Sequence, residues 1–261
     1  MVESPSQRYK KADKGILRET WGANVMPSFK SLEGRFAIIA HRGASAYEPE
    51  NTVRAVRRAL EMGADAVEVD VRLSADGYPV VIHDETVDRT TNGSGRVDEL
   101  TLSALRQLDA GLGEKIPLLG EVLEEVNGRA VLFVELKLPE AADKAVAEVV
   151  ERDMLDDVLF ISFFPEALLR VRELAPASHI GLIYFKPPGG ILEAKRLRAD
   201  AVLPRYNMAT EKAVKFAKRL KLYVVTWTVD DPLLALRLKQ RGVDAVATNA
   251  PDKLMHLRSD P

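Results

Sequence analysis

The chain has 261 residues, of which 46% are hydrophobic and 29% charged, and its formal net charge is −2. This length suits one large α/β barrel or two small domains, and the composition excludes a disordered chain. The small net charge gives no sign of nucleic-acid binding, so an anion site would have to come from locally placed basic residues. Because cysteine is absent, disulfides, thiolate metal sites and a cysteine nucleophile are excluded.

No segment resembles a membrane span or a secretion signal. A transmembrane helix needs about 18 consecutive apolar residues, and no such run occurs. The first thirty residues also lack the apolar stretch of a signal peptide. We therefore expect a cytoplasmic protein. Residues 1–35 form a predicted N-terminal extension, which the sequence leaves open as a surface helix, a plug at the barrel bottom or a partner contact. The oligomeric state is also left open.

From residue 36 onward, short β-branched runs alternate with helical patterns. The apolar runs predict strands at 36–40, 66–71, 130–136, 158–162, 179–184, 201–204, 222–227 and 245–248. Helical spacing of apolar residues predicts helices at 51–63, 141–153, 165–175, 210–220 and 231–242, and another at LGEVLEEV. Eight strands separated by helices predict a (β/α)8 TIM barrel over residues 36–258. A doubly wound open sheet is the alternative, but the first turn, HRGAS, lacks its glycine-rich pattern.

One return breaks this alternation. After the second strand, the segment RLSADGYPVVIHD starts a new apolar run too early for a parallel crossover, so we expect an antiparallel hairpin. Asp76 and Gly77 would form a two-residue turn, and the resulting register places Asp70 opposite His83. The Gly, Ser, Thr and Asn of residues 85–113 then predict an insertion over the barrel mouth.

Carboxylates on two strands suggest a metal site. Glu68 and Asp70 are two residues apart, so their side chains project from the same strand face. A divalent cation with oxygen ligands, Mg²⁺ or Ca²⁺, would relieve their repulsion in a buried position. A solvated strand face is the simpler alternative for this pair alone. Glu135 either completes a three-carboxylate set or forms a structural ion pair with Lys137.

Histidines end two of the predicted strands. His41 and His83 lie beside charged residues that can shift an imidazole pKa, and this placement favours a catalytic role. We favour structural roles for His179 and His256. Arg42 offers a planar guanidinium that fits a phosphate, with a surface salt bridge as the alternative.

Four other residues complete the candidate set. Asn51 is the predicted N-cap of the first helix. Glu50 is then a helix-start residue, which could instead reach back to orient the arginine or approach the metal. Trp227 ends one predicted strand and Phe185 follows another, both at the mouth, and both are candidates for stacking on an apolar part of the substrate. A core-capping role is the alternative for Trp227.

These motifs together resemble the glycerophosphodiester phosphodiesterase family. The resemblance is carried by HRGAS with PENT, by EVDVRLSADGYPVVIHDETVDRTTNGSG, and by VELK and TWTVDDP, across about residues 36–250. It implies a barrel of the phosphatidylinositol-phospholipase-C-like type and metal-dependent hydrolysis of glycerophosphodiesters to glycerol 3-phosphate and an alcohol. It also implies one divalent cation, Mg²⁺ or Ca²⁺, with Mn²⁺ as a further option.

Matched position by position, the resemblance implies an acid–base pair, a phosphate-binding pair and a metal-ligand set: His41 and His83; Arg42 and Lys137; Glu68, Asp70 and Glu135. The insertion 85–113 stands where the family shapes the glycerol side of its site. The chain departs from the family at Asp230, where many members have asparagine. This added charge near the mouth bears on substrate preference.

Within the acid–base pair we assign His41 as the base and His83 as the acid. The nucleophile is either water or the glycerol 2-hydroxyl of the substrate. A lysophospholipase D of the same family is one alternative, in which the apolar mouth and the segment GILRETWGANVMPSF would hold an acyl chain. A non-catalytic anion-binding barrel is a more remote alternative. The expected partner is a small phosphodiester and not a nucleic acid.

Overall fold

A computed structural model gives the fold over residues 27–186 and 189–258. The strands are β1 Ala37–His41, β2 Ala66–Leu73, β3 Pro79–Val81, β4 Val131–Leu136, β5 Val158–Ser162, β6 His179–Tyr184, β7 Ala201–Pro204, β8 Tyr223–Thr226 and β9 Ala245–Thr248. The α-helices are α1 Val53–Glu61, α2 Leu102–Leu105, α3 Leu119–Val126, α4 Ala141–Glu151, α5 Pro165–Leu174, α6 Gly190–Arg196, α7 Glu211–Arg219 and α8 Pro232–Gln240. No helix in these ranges is long and apolar enough to cross a bilayer.

Eight parallel strands close into a barrel, and this confirms the predicted (β/α)8 architecture. Their order is β1, β2, β4, β5, β6, β7, β8 and β9, and β9 pairs with β1 to complete the ring. The helices pack their apolar faces on the outward side chains of the strands in one continuous core. Helix α6 was not predicted, because its seven residues carry little helical periodicity and only Ala194 is buried.

The barrel interior is apolar at the bottom and differs around the mouth. Inward side chains such as Ile39 on β1, Phe133 on β4 and Val225 on β8 form a second buried cluster. At the carboxyl ends of β1, β2 and β4 the same inward positions become charged, whereas on β5 to β9 they stay mostly apolar. Active sites of this fold lie at that carboxyl end, so the mouth has one polar and one apolar side.

The described part of the N-terminal extension plugs the barrel bottom. A 3-10 helix at Phe29–Leu32 buries both of its terminal residues. The ring of Phe29 lies 6.4 Å from Phe133, 5.0 Å from His179 and 5.5 Å from Tyr223, measured between ring centres. Of the three options for the extension, the plug therefore applies to residues 27–35. Residues 1–26, including most of GILRETWGANVMPSF, lie outside the described residues.

The hairpin after β2 forms, but its predicted register is wrong by one residue. Val71 pairs with Val81, and the backbone N–H of Ile82 donates to the carbonyl oxygen of Asp70 at 2.9 Å. Asp70 therefore lies opposite Ile82 and not His83. The turn contains three residues, 75–77, and its last residue, Gly77, has a φ of +80° that suits glycine. A three-residue loop shifts the pairing that a two-residue loop would give.

The insertion packs on the outer side of this hairpin. It contains a 3-10 helix at Val97–Glu99, the short α2, and a bridge between Thr86 and Arg96. Its buried apolar residues Val87, Val97, Leu105 and Ala110 form a small cluster with Val80 of β3 and with Ile82 and Ile116, which lie just outside the insertion. The predicted excursion is thus anchored at the edge of the mouth, beside the polar side of the barrel.

Candidate active site

A tight turn ends β1 and points its residues at the mouth. Arg42 and Gly43 have φ of +57° and +76°, and both lie in the left-handed region. A side chain at Gly43 would come within 2.5 Å of the backbone of Ala55 in α1, so glycine is needed there. The backbone N–H of Arg42 donates to Glu68 Oε2 at 2.9 Å. The turn therefore directs the arginine and holds one carboxylate of β2.

Three carboxylates meet between β2 and β4. Glu68, Asp70 and Glu135 each place an oxygen within 4.8 Å of the others, since the sheet register pairs Asp70 with Glu135. Lys137 Nζ lies 2.6 Å from Glu135 Oε1 and 3.4 Å from Asp70 Oδ1. Arg42 Nε lies 3.2 Å from Asp70 Oδ2. The carboxylate set and the Glu135–Lys137 ion pair, predicted as alternatives, are both present.

The three carboxyl groups titrate in different directions. Burial, and next the charge of Asp70, raises the pKa of Glu68 to about 8 and that of Glu135 to about 7. Burial alone would also raise the pKa of Asp70, but the charges of Lys137 and Arg42 outweigh it and leave that pKa lowered. Asp70 therefore stays ionised, whereas ionising Glu68 and Glu135 as well costs free energy.

The cluster has the properties of a cation site. Glu68 Oε1 and Asp70 Oδ1 are buried and have no hydrogen-bond partner among the described residues. Unpaired buried carboxylate oxygens are costly, and a set of hard oxygen donors suits a divalent cation such as Mg²⁺ or Ca²⁺. The residues present thus fit the metal that the sequence implies.

Asn51 belongs to this cluster and is not the helix cap. Its Nδ2 donates to Asp70 Oδ2 at 2.8 Å, and its Oδ1 accepts the backbone N–H of Asp70 at 3.2 Å. The predicted N-cap is wrong by one residue, because the hydroxyl of Thr52 accepts the N–H of Ala55 instead. Asn51 adopts φ +58°, a region that asparagine tolerates better than most residues.

His41 ends β1 beside the carboxylates. Its Nε2 lies 4.0 Å from Glu68 Oε2, its neighbour in the β1–β2 register. Its Nδ1 lies 2.9 Å from Oδ1 of Asn249, a residue that follows β9. Burial lowers the pKa of His41, and the charge of Arg42 lowers it further. The imidazole of His41 therefore stays neutral to a lower pH than a free histidine side chain does.

His83 is held by a chain of charged groups that ends at Arg42. Its Nδ1 lies 2.6 Å from Asp84 Oδ1, and Arg89 Nε donates to Asp84 Oδ2 at 2.6 Å. Arg89 also donates two 2.8 Å hydrogen bonds to Glu50, which accepts from Arg42 Nη1 at 2.9 Å. Glu50 therefore reaches back and accepts a hydrogen bond from the arginine, the contact that the second of its predicted roles requires.

The carboxylate of Asp84 stays ionised beside His83. The hydrogen bond from Arg89 is the largest of several effects that hold the pKa of Asp84 well below its usual range. An ionised carboxylate only accepts, so Nδ1 of His83 carries a proton. Burial nevertheless lowers the pKa of His83, with the charge of Asp70 opposing it.

A cavity of about 410 Å³ opens at the mouth between these groups. Its polar side contains His41, Arg42, Glu68, His83, Glu135 and Lys137. Its apolar side contains Ile161, Phe163, Ile183, Phe185, Leu203 and Trp227, and Arg205, which follows β7, also lines the cavity. The Phe163 ring lies edge-on to Phe185 and Trp227 at 5.7 Å each. Trp227 Nε1 donates to the carbonyl of Leu203 at 2.8 Å, so the predicted core-capping and mouth-lining roles coexist.

The other two histidines lie away from the mouth. His179 packs under the barrel against Phe29, with its Nδ1 3.7 Å from Asp200 Oδ1. His256 lies in a 3-10 helix near the end of the described residues. Their positions agree with structural roles.

The sequence interpretation missed several members of the site. Asp84 directly follows His83, and this adjacency was the only sign in the sequence that it contacts the imidazole. Asn249 lies more than 200 residues from His41, and only barrel closure brings them together. Asp230 does not line the cavity. It accepts hydrogen bonds from Thr248 Oγ1 and from the backbone and side chain of Asn249, at 2.7–2.8 Å. Asp230 therefore contacts the residue that supports His41, and its influence on substrate preference stays a prediction.

Fold and site define a class of protein, a (β/α)8 barrel with two histidines, two basic residues and a three-carboxylate cluster at the carboxyl ends of its strands. A family model described as the glycerophosphoryl diester phosphodiesterase family matches residues 41–253. The chain belongs to this family, whose members are phosphoric diester hydrolases.

Individual relatives agree with this assignment. A glycerophosphodiester phosphodiesterase of Caldanaerobacter subterraneus subsp. tengcongensis is 38% identical over 237 residues, which is 84% of this chain and 96% of the relative. A glycerophosphodiester phosphodiesterase of Bacillus subtilis is 32% identical and covers 84% of this chain and 85% of its own length. A solved phosphodiesterase of Oleispira antarctica, in complex with the product sn-glycerol-3-phosphate, has a TM-score of 0.80 and 32% identity. It covers 84% of this chain and 95% of that one.

Proposed function

We propose that this chain hydrolyses glycerophosphodiesters to glycerol 3-phosphate and an alcohol, by acid–base catalysis with His41 and His83 and with one divalent cation. One observation carries the proposal: two histidines, each with Nδ1 already bonded, line a single cavity together with Arg42 and Lys137, beside a cluster of three buried carboxylates. The relatives named as phosphodiesterases support it, and the glycerol-3-phosphate complex of one of them supports the product.

Glu68, Asp70 and Glu135 would hold the cation. When bound, a divalent cation supplies Lewis-acid polarisation and charge neutralisation for a phosphate oxygen. Mg²⁺ and Ca²⁺ suit an all-oxygen ligand set best, and Mn²⁺ also accepts it. Asn51 supports the set because it fixes Asp70 through two hydrogen bonds.

Arg42 and Lys137 would bind the phosphate. A phosphodiester is an anion, and its transition state concentrates charge on the non-bridging oxygens. Arg42 can present a planar pair of donors, and Glu50 holds its guanidinium from behind. Lys137 adds a point charge on the Glu135 side of the cluster. Both residues would stabilise the charge that develops in the transition state.

The two histidines have different partners, and this difference supports different roles. His83 faces an ionised carboxylate, which stabilises a protonated imidazolium, whereas His41 faces the neutral amide of Asn249. We therefore assign the acid to His83 and the base to His41. In this scheme His41 takes the proton of the nucleophile while the new P–O bond forms. His83 donates its proton to the alcohol oxygen as the old P–O bond breaks.

The nucleophile is either water or the glycerol 2-hydroxyl. Attack by water gives glycerol 3-phosphate in one step, and attack by the hydroxyl first gives a cyclic phosphate that water then opens. Rapid quench of a single turnover separates the routes, because only the second accumulates cyclic glycerol phosphate before the final product.

The central test is a set of hydrolysis assays with glycerophosphocholine. Activity should require added Mg²⁺, Ca²⁺ or Mn²⁺ and disappear in EDTA, and Glu68→Gln should show the same loss with metal present. Full activity of the wild type in EDTA would refute the metal role. Asp244→Asn is a matched control, because this acid lies at the opposite end of the barrel, where it pairs with Lys218.

The acid–base roles have a separate test. An aryl leaving group needs no protonation, so the corresponding diester should restore much of the activity of His83→Ala and little of that of His41→Ala. Each variant should otherwise lose about 10²–10⁴-fold in kcat. Rescue of His41→Ala alone would reverse the assignment.

The apolar side of the cavity favours a second candidate, lysophospholipase D activity. Phe163, Phe185 and Trp227 form a continuous aromatic wall opposite the carboxylates, and Phe185 is 47% exposed to solvent. Such a wall could hold an acyl chain. Parallel assays with glycerophosphocholine and lysophosphatidylcholine separate the two activities. A rate equal to background with both would favour the non-catalytic alternative.

A further inference from the structure

Two residues outside the cavity lining, Asn249 and Asp230, support His41. Asn249 Oδ1 lies 2.9 Å from His41 Nδ1. The other end of the same amide, Nδ2, donates to Asp230 Oδ2 at 2.8 Å. Asp230 also accepts the backbone N–H of Asn249 at 2.7 Å and the Thr248 hydroxyl at 2.8 Å. Asp230, Asn249 and His41 thus form a directed chain from β8 and β9 back to β1.

The chain has one direction because of the chemistry of its far end. Hydrogen bonds outweigh the effect of burial and leave the pKa of Asp230 below its usual value, so its carboxylate is ionised and can only accept. The amide of Asn249 must therefore turn its NH₂ group toward Asp230 and its oxygen toward His41. An amide oxygen accepts, so Nδ1 of a neutral His41 carries the proton and Nε2 carries the lone pair.

We infer that Asp230 and Asn249 are positioning residues that fix the tautomer of His41 and so leave Nε2 free to accept a proton. Nε2 is the ring nitrogen nearest the carboxylate cluster, 4.0 Å from Glu68 Oε2. The inference rests on the proposed role of His41 as the base, and it adds two residues that act through His41 without lining the cavity.

Ser45 does not set this direction. Its hydroxyl lies 2.9 Å from Asn249 Oδ1 and 2.7 Å from the carbonyl oxygen of His41. A hydroxyl both donates and accepts, so Ser45 would still donate to the backbone carbonyl of His41 if the amide of Asn249 were reversed. The carboxylate of Asp230 has no such freedom, and the direction of the chain therefore depends on it.

The substitution Asp230→Asn tests the inference. Residue 230 must still accept the backbone N–H of Asn249, so its new NH₂ group faces the side chain of Asn249. The Asn249 amide then reverses and donates to His41 Nδ1, and the proton of the imidazole moves to Nε2. We expect kcat to fall by about 10²-fold or more, with little change in KM because Asp230 lies outside the cavity.

Nitrogen-15 NMR of the full chain shows the tautomer directly. The sequence has four histidines, and loss of one imidazole signal in His41→Gln assigns the signal of interest. At a pH well above the ordinary imidazole pKa of about 6.5, the wild type should show Nδ1–H and Asp230→Asn should show Nε2–H. These spectra are recorded with and without Mg²⁺, and they do not depend on activity.

A double variant supplies the rescue. In Asp230→Asn with Asn249→Asp, the new amide donates to the new carboxylate, which again presents only acceptors to His41. Nδ1–H should return, and kcat should recover by at least about 10-fold over the single variant. A general loss of structure would not be repaired by adding a second substitution. Asp244→Asn, which also alters a carboxylate that accepts a strand N–H, should leave the tautomer unchanged.

The possible outcomes separate this inference from the proposed function. Retention of Nδ1–H in Asp230→Asn would overturn the inference, whatever the activity. A change of tautomer with an unchanged kcat would support the control by Asp230 and would instead overturn the assignment of His41 as base. A change of tautomer with loss and rescue of kcat supports both.

Discussion

Acidic residues lie at both ends of the barrel, and they are treated differently at each end. At the bottom, Asp65, Asp200 and Asp244 each precede a strand and accept a backbone N–H of a neighbouring strand, at 2.7–3.0 Å. Each also pairs with a basic side chain: Arg35 at 3.1 Å, Arg172 at 2.8 Å and Lys218 at 2.6 Å. These carboxylates join strands, and their oxygens have donors.

At the mouth the three carboxylates are grouped together, and two of their oxygens accept no hydrogen bond from the described residues. Burial raises the pKa of Asp65 at the bottom too, but the backbone N–H of Ile38 and the charge of Arg35 oppose it. At the mouth the charge of Asp70 adds to burial, and together they raise the pKa of Glu68 to about 8. An arrangement that costs free energy persists where function requires it. The acidic residues at the bottom of the barrel therefore maintain the fold, whereas those at the mouth have the arrangement of a ligand site.

The largest expected effect comes from replacing one histidine at each end of the barrel with alanine. His41→Ala should lower kcat by about 10²–10⁴-fold, the contribution of a general base, with the unfolding temperature nearly unchanged. His179→Ala should keep kcat and lose about 1–3 kcal/mol of stability, because this ring packs on Phe29. Steady-state kinetics and thermal unfolding of both variants check the contrast. A lower kcat of folded His179→Ala would contradict this contrast between the two ends of the barrel.

Removal of the plug residue should affect stability alone. Phe29 is 2% exposed and contacts three aromatic rings, so Phe29→Ala should destabilise the fold by about 3–5 kcal/mol. Urea unfolding measures this loss. At a temperature where the variant is folded, its kcat should equal that of the wild type. A reduced kcat under those conditions would show that the bottom also shapes the site.

The two ends also differ in how far the sequence predicts them. Alternation of strands and helices is a local signal, and it predicted the barrel and the group of Glu68, Asp70 and Glu135. The partner of His41 could not be predicted, because Asn249 reaches it only through closure of the ring between β9 and β1. The hairpin register was wrong because one extra turn residue, which periodicity does not reveal, shifts every pair.

Metal and pH should act on the mouth in a coupled way. Without metal, the raised pKa of Glu68, about 8 against an unfolded value of about 4.3, means that the folded state retains a proton that the unfolded state has released. Its contribution to stability is therefore full below about pH 4.3 and is lost as pH rises through 8. Glu135, with a pKa of about 7, acts in the same direction.

The unfolding temperature in EDTA should consequently fall between about pH 5 and pH 8. Added Mg²⁺ should restore it more strongly at the upper end, where the carboxylates release their protons to bind it. Glu68→Gln should flatten the pH dependence in EDTA and weaken the response to Mg²⁺. Thermal unfolding over this pH range provides the measurement. An equal Mg²⁺ response at both ends of the range would contradict the cluster as the metal site.

The smallest effect should come from the apolar side of the mouth. Phe185 is 47% exposed and lies edge-on to Phe163, so Phe185→Ala removes mainly a surface for the substrate. We expect kcat/KM for lysophosphatidylcholine to fall about fivefold, a loss of about 1 kcal/mol, with no change for glycerophosphocholine. Phe164→Ala is the matched control, since Phe164 is 42% exposed and lies outside the cavity lining. Equal losses for both substrates would mean that this wall orders the site rather than selecting the alcohol.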